Sequence, residues 1–568
     1  MRPASKLASF ALLTFTFALV GPGCGGGGGG DDDGPDAGPV LKSLRCPGAP
    51  GCLDSGDGVL HAGAAAEKIT PTLVEKEWTD TNMDGDWQPG EPYVDVNMNG
   101  KFDAYWIAGF GNGRVATSIH DDIWARAIAL RYNQTTIVIV TLDVLGLFKD
   151  EMDRIRAELP ATLDVDYVII SATHTHETHD TAGAWGATEF DSGIKPEYMA
   201  YLRAQTAKAV VAAVAALQPA NVTFAQIKVA DPDGTTKNWV KDGRDPQIAD
   251  TTMTVTRFTK AGQPLDQASS TIATWVMWAS HPEYAWSKNH AITSDYPHGI
   301  RQTVETLGVP GEGLAALGGI CVYSNGPLGA LLGPGSPGGG IPVLRENGTR
   351  ILEDSPERAE RGGNLLGRFA LKALAAGGGA ETLMTAPILY RTRELFADVQ
   401  NYTFQSASIL KIYVRDQFNY DPTKTIEAGN IPQLKMEVSY LQLGPLGVAT
   451  LPGELAPEIW TGGYDGALAG GNDFIDPMNP NPPNISLAPK GPYIKDVILA
   501  RSGVKYAAGL GLGNDWAGYI IPRYDFKLDA NNPWWEQAAG DHYEETNSIG
   551  PDAEAQLIDP LKMLIAEP

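Results

Sequence analysis

The sequence predicts an α/β fold: a layered, mixed β-sheet core with flanking helices, built as a single large domain over residues 105–568. Three observations predict it. Strand-like apolar runs alternate with helical patterns from Ile107 onward, which is the signature of sheets covered by helices. Short hairpin-like links and long helical crossovers both occur, so strand directions must be mixed. No solenoid-type repeat and no long linker interrupts the run. The 568 residues are 43% hydrophobic and 20% charged, as in ordinary globular proteins. A net charge of −25 argues against nucleic acid or an anionic membrane surface as an electrostatic partner.

The elements follow in order. Arg2 and Lys6 precede an apolar run, Leu7–Val20, which is too short to span a bilayer and reads as an export signal over residues 1–23. Cys24 follows at once and resembles the lipidated cysteine of a bacterial lipoprotein, although Gly21, Pro22 and Gly23 before it leave ordinary signal cleavage open. Either way the expected location is the bacterial cell envelope or the medium, with membrane attachment through Cys24 if it is lipidated. Residues 24–66 are rich in glycine and aspartate at their start and read as a flexible tether. Within it, Cys46 and Cys52 are spaced for a small disulfide loop. Cys321 reads as a buried small hydrophobe.

The acidic segment 67–104 has chemistry of its own. Asp80, Asn82, Asp84, Asp86, Gln88 and Glu91, with Gly85 at the turn, fill the positions of a calcium loop, D-x-[DN]-x-[DN]-G-x₅-E. A second partial loop, Asp95, Asn97, Asn99, Gly100 and Asp103, lacks the final glutamate. The expectation is Ca²⁺ in a structural role; the alternative is a solvated acidic turn.

Beyond residue 105, Ala129–Gly146 contains two β-rich runs split at Asn133–Gln134, a hairpin signal. Helices are expected at Glu151–Leu159, Pro196–Leu217, Tyr296–Leu307 and Pro356–Ala376, and strands at Asn221–Ala230, Thr251–Phe258 and Thr271–Ser280. Gly326–Pro342 reads as an irregular loop, and Ala386–Leu451 as β-rich.

Chemistry concentrates in Tyr167–Asp180, YVIISATHTHETHD, where an apolar strand breaks into His174, His176 and His179 with Glu177 and Asp180 between them. Residues two apart share a strand face, so His174 and His176 point the same way if the strand runs that far. Paired imidazoles at a strand end, with carboxylates nearby, suit a transition metal, zinc first. The strand Thr271–Ser280 repeats this logic, ending in His281. The alternative is a polar loop that is rich in histidine.

The order of segments IHDDIWARAIAL (Ile119–Leu130), VIISATHTH (Val168–His176), MWASHPEYAWSKNHAITSD (Met277–Asp295), YSN (Tyr323–Asn325), LPGE (Leu451–Glu454), NDWAGYI (Asn514–Ile520) and HYEETNSIG (His542–Gly550) resembles the catalytic domain of the neutral/alkaline non-lysosomal ceramidase family. The resemblance implies a zinc hydrolase domain over 105–568, acting on an amide of a lipid-like or other small acylated substrate. It implies zinc ligands at His174, His281, Glu454 and Tyr519, a substrate-lining Tyr543, and His176 as proton carrier or substrate contact. Asp295 or Glu177 are candidate assistants to His176. A departure also stands out: Ala330 falls where the family has a serine before proline, and Ser324 is too early in that register. Glu177–Gly183 replaces the family's small-residue continuation, placing charge and His179 at the expected site mouth, while Trp185, Trp239 and Trp286 are pocket-lining or core residues. The other function class is a cell-surface protein that keeps fold and metal for binding alone.

Overall fold

A computed structural model describes residues 41–333, 340–427 and 429–568. The expected signal peptide, Cys24 and the glycine tract lie outside the described residues, as do residues 334–339 of the expected loop. Among the described residues no helix is long and apolar enough to cross a membrane.

In chain order the elements that position the site are β1 (Ser43–Cys46), β2 (Leu60–Lys68), β3 (Trp124–Tyr132), β4 (Thr135–Leu142), α1 (Lys149–Ala157), β5 (Tyr167–Ala172) and α2 (Pro196–Ala215). Then come β6 (Gln218–Lys228), β7 (Thr252–Lys260), β8 (Thr271–Trp278), α3 (Tyr296–Gln302), β9 (Ile320–Asn325), α4 (Pro356–Leu374), β10 (Glu381–Leu383) and β11 (Ile388–Asp398). The chain closes with α5 (Tyr402–Ile409), β12 (Gln433–Leu443), β13 (Leu446–Leu451), β14 (Glu454–Leu455), α6 (Pro457–Thr461), β15 (Tyr506–Gly511), β16 (Tyr519–Ile520), α7 (Tyr543–Thr546) and α8 (Asp559–Ala566).

Nine strands form the larger sheet in the order β9-β8-β7-β6-β2-β3-β4-β5, with β10 added to β6. A five-stranded sheet runs β1-β11-β12-β13-β15. Directions are mixed as predicted: β8/β9, β4/β5 and β13/β15 are parallel, and the hairpin β3/β4 is antiparallel. Asn133 takes a positive φ of 54° at its two-residue turn, the conformation that a tight hairpin needs and that asparagine tolerates.

The two sheets pack face to face. Ile128, Ile139, Phe224, Trp275 and Val322 of the larger sheet meet Tyr390, Leu441, Val448 and Leu510 of the smaller in one apolar core. The outer face of the larger sheet is covered by α1 and α2 at one end and by α3 and α4 at the other. The outer face of the smaller sheet is covered by α6, α8 and the helix Ile494–Leu499. The result is an αββα stack, the layered α/β class that the sequence predicts.

Two expectations are corrected. The expected tether, residues 24–66, does not extend to its C-terminal end: β1 and most of β2 fall inside it, and β2 sits mid-sheet between β3 and β6. Its sequence, LHAGAAAEK, has low β-propensity, but small side chains are what this place requires. A Cβ on Gly63 would lie 2.3 Å from the Ala213 carbonyl oxygen, so α2 docks with its backbone almost against the strand. The second correction is α5, a helix inside the region read as β-rich. Cys46 and Cys52 are disulfide-bonded, and Cys321 is buried and free.

Candidate metal centre

β5 stops at Ala172, short of the histidines, and His174 has a positive φ of 66°. The two-residue strand repeat therefore does not carry the imidazoles. They converge instead because the THTH turn is clamped from both sides: His174 N donates to the Val144 carbonyl and His176 N to the Pro282 carbonyl. The rings of His174 and His176 lie 4.9 Å apart, with 3.3 Å between their Nε2 atoms.

His281 arrives from the end of β8. Its backbone N and its Nδ1 both contact the Leu331 carbonyl oxygen, at 2.9 and 2.8 Å. His174 Nδ1 is likewise 2.7 Å from the Leu145 carbonyl oxygen. A carbonyl only accepts, so both rings carry their proton on Nδ1 and turn a bare Nε2 inward. Both Nε2 atoms face the same carboxylate oxygen: Glu454 Oε2 is 3.3 Å from His174 and 3.1 Å from His281.

Glu454 and Tyr519 come from the short parallel ribbon β14/β16, in which they are direct register partners. That pairing sets the Tyr519 hydroxyl 3.4 Å from His281 Nε2. Trp516 Nε1 donates to the other Glu454 oxygen at 3.0 Å. Among the described residues His174, His176 and His281 form a close, buried group of potential metal-ligand atoms. The other such group includes Cys46 and Cys52, which are bonded to each other.

Burial raises the cost of ionising Glu454, whereas positive charge at His174 and His281 lowers its carboxyl well below the usual range; with both rings bare at Nε2, that charge would come from a cation seated between them. Burial, reinforced by the neighbouring imidazoles, pushes His176 and His281 down, so both rings are neutral. Neutral imidazole nitrogens, an ionised carboxylate and a phenol hydroxyl are a donor set that fits a borderline divalent ion.

The cluster opens into a cavity of about 100 Å³ whose lining includes His174, His176, Glu454, Tyr519 and Tyr543. Its remaining wall is largely apolar, including Phe148, Trp185, Phe404, Tyr413, Leu434 and Trp516. Arg415 also lines it, but its guanidinium is paired with Asp515 and lies over the Phe148 ring.

Other expected residues are placed elsewhere. Asp295 does not reach the cavity: it caps α3, accepting from Tyr296 N and from Ala285 N, and burial raises its pKa to about 6. Its role is to brace the chain that follows His281. Glu177 is buried against Arg114 and Asn289, behind the site. His179 is fully buried and packs edge-on against Tyr105 and Tyr198 rather than sitting at the mouth. Of the three tryptophans only Trp185 lines the cavity; Trp239 packs on Phe369 and Trp286 beside Phe110. Ala330 is buried beside the His281 anchor, where its carbonyl accepts from Gly243 N. Ser324 is spent on Thr141 and Trp275.

In the acidic segment, Asp80, Asp84 and Glu91 accept hydrogen bonds from backbone amides of their own loop. Asn82 caps Asp84 N, and Gln88 donates to Asp84. Asp86 is half-buried near His290. Sequence reasoning missed Trp516, Phe148, Tyr413 and Glu283 at the site. Trp516 and Glu283 had a signal, lying three residues before Tyr519 and two after His281 in segments already singled out.

No protein-family model matches the chain, and no curated protein matches it in sequence. Solved structures do. Neutral ceramidase from Pseudomonas aeruginosa matches with a TM-score of 0.56 at 13% identity, over 90% of this chain and 74% of that one. A ceramidase complexed with C2 matches with a TM-score of 0.54, at the same identity and coverage. At this identity the likeness speaks to the fold, and the fold of this chain is that of the neutral ceramidases.

Proposed function

We propose that this protein is a zinc-dependent hydrolase of an amide bond in a ceramide-like or other acylated small molecule. The observation that carries the reading is the convergence of His174, His281, Glu454 and Tyr519, drawn from separate parts of the chain, at the head of a largely apolar cavity. The solved structures that share the fold are named as ceramidases.

His174, His281, Glu454 and Tyr519 would hold the ion. When bound, zinc supplies a Lewis acid that polarises a carbonyl and lowers the pKa of water. The protein's residues do the rest. The aromatic wall seats the acyl arm and excludes bulk water, and Tyr543, edge-on to Tyr519 with ring centres 6.1 Å apart, borders the reacting end. His176 takes the proton of the attacking water at Nε2 and returns it to the amine nitrogen as the C–N bond breaks, leaving acid and amine.

Ala330 removes the hydroxyl that the resembled family carries beside this site, which favours a substrate other than the family's own. Export, with attachment through Cys24, belongs to the same proposal, as does calcium in the acidic segment; both rest on residue patterns.

Zinc content and turnover of a panel of fluorogenic acyl amides and esters test the reading, with His174→Ala and Glu454→Ala as controls. We expect about one zinc per chain, lost in both variants, and amide hydrolysis that needs it. A wild-type chain that holds zinc and hydrolyses nothing in the panel would favour the binding-protein alternative.

A further inference from the structure

Glu283 lies two residues past His281, in the turn that leaves β8, and is 5% exposed. Its Oε2 is 3.6 Å from Nδ1 of His176. That Nδ1 is buried and makes no hydrogen bond to any described residue. The ring has little freedom to turn. A Cβ on Gly109 would lie 2.5 Å from its Cγ, and Phe110 packs edge-on with ring centres 5.2 Å apart. On its other side, Nε2 faces Nε2 of His174.

His174 and His281 each have Nδ1 tied to a backbone carbonyl. His176 has no such carbonyl, and a buried ring nitrogen left unpaired is destabilising. The group placed to remove that cost is a carboxylate. A carboxylate does more than a carbonyl: it fixes the tautomer and also stabilises the imidazolium formed when the far nitrogen takes a proton.

We propose that Glu283 is the positioning residue for His176: with the ion held by His174, His281 and Glu454, it accepts the His176 Nδ1 proton and leaves Nε2 the bare nitrogen turned toward that cluster. The proposal rests on the metal reading of that cluster, and its catalytic consequence also on His176 as proton carrier.

Long-range ¹H–¹⁵N spectra of the zinc-loaded, full-length chain labelled at histidine report the tautomer directly, with His176 identified by its loss in His176→Gln. We expect the Nδ1–H form in the wild type and in Glu283→Asp, and its loss in Glu283→Ala. Glu283→Gln keeps the volume and an accepting oxygen but not the charge. It should keep the tautomer while kcat of the zinc-loaded enzyme falls about 10- to 100-fold with KM little changed. An Nε2–H form in the wild type, or a tautomer indifferent to Glu283→Ala, overturns the proposal. The expected tautomer response in a chain that hydrolyses nothing upholds the positioning role and counts against the hydrolase reading.

Discussion

His179 shows how far one side chain's environment can depart from what its sequence neighbours suggest. It stands three residues from His176, yet it is sealed between Tyr105 and Tyr198 with Nδ1 3.3 Å from the Trp106 carbonyl oxygen. Burial, aided by Lys195 and opposed by that carbonyl, lowers its pKa to about 3. The unfolded chain titrates near 6.5 and the folded one near 3, so between these values the unfolded state binds the extra proton. Its contribution to stability is therefore complete above about pH 6.5 and is lost as pH falls toward 3. Urea unfolding of the wild type and His179→Phe from pH 7 to 4 checks this. The wild type should lose up to about 1.4 kcal/mol per pH unit relative to the variant below pH 6.

At the scale of elements, the site depends on pieces that are short and tied by charge. Arg244, in the loop before β7, is 3% exposed and bridges Asp525, Glu545 of α7 and Glu458 of α6. α6 follows Glu454 by three residues, and α7 carries Tyr543. One guanidinium thus joins the supports of a candidate ligand and a cavity wall. Arg244→Met would leave three buried carboxylates without it, and we expect a loss of about 3–5 kcal/mol in unfolding free energy. Calorimetry or denaturant titration measures it. The ribbon β14/β16 is the complementary case: two residues per strand suffice because register alone places Glu454 opposite Tyr519.

Across the whole molecule, the αββα stack brings the carboxyl ends of β5 and β8, in the larger sheet, to the same end as the turn after β13, in the smaller. The site is built where the two sheets meet, so its integrity reports on their packing. The acidic segment lies outside this core and is mostly exposed. If it takes calcium, added Ca²⁺ should raise the thermal midpoint of the full chain by mass action and a chelator selective for Ca²⁺ should lower it. Asp84→Ala with Glu91→Ala should abolish the difference; an unchanged wild-type midpoint would dispose of the calcium assignment.

The sequence by itself determined the layered α/β class, the β3/β4 hairpin, the long helices α2 and α4, the Cys46–Cys52 bond and the histidines His174 and His281. Each is written in local pattern: periodicity, a turn-forming asparagine, a short cysteine spacing, or an imidazole at the break of an apolar strand. Glu454 and Tyr519 were legible only through resemblance, because a turn carboxylate and an aromatic carry no local mark of their role. Tertiary structure alone decided the rest. It turned an alanine-rich stretch into the mid-sheet strand β2, because α2 needed a surface without side chains. It moved His179 and Asp295 into structural duty and brought Glu283 to His176. These outcomes depend on which surfaces meet across hundreds of residues, and a side chain's burial and partner are properties of that meeting rather than of its neighbours in the chain.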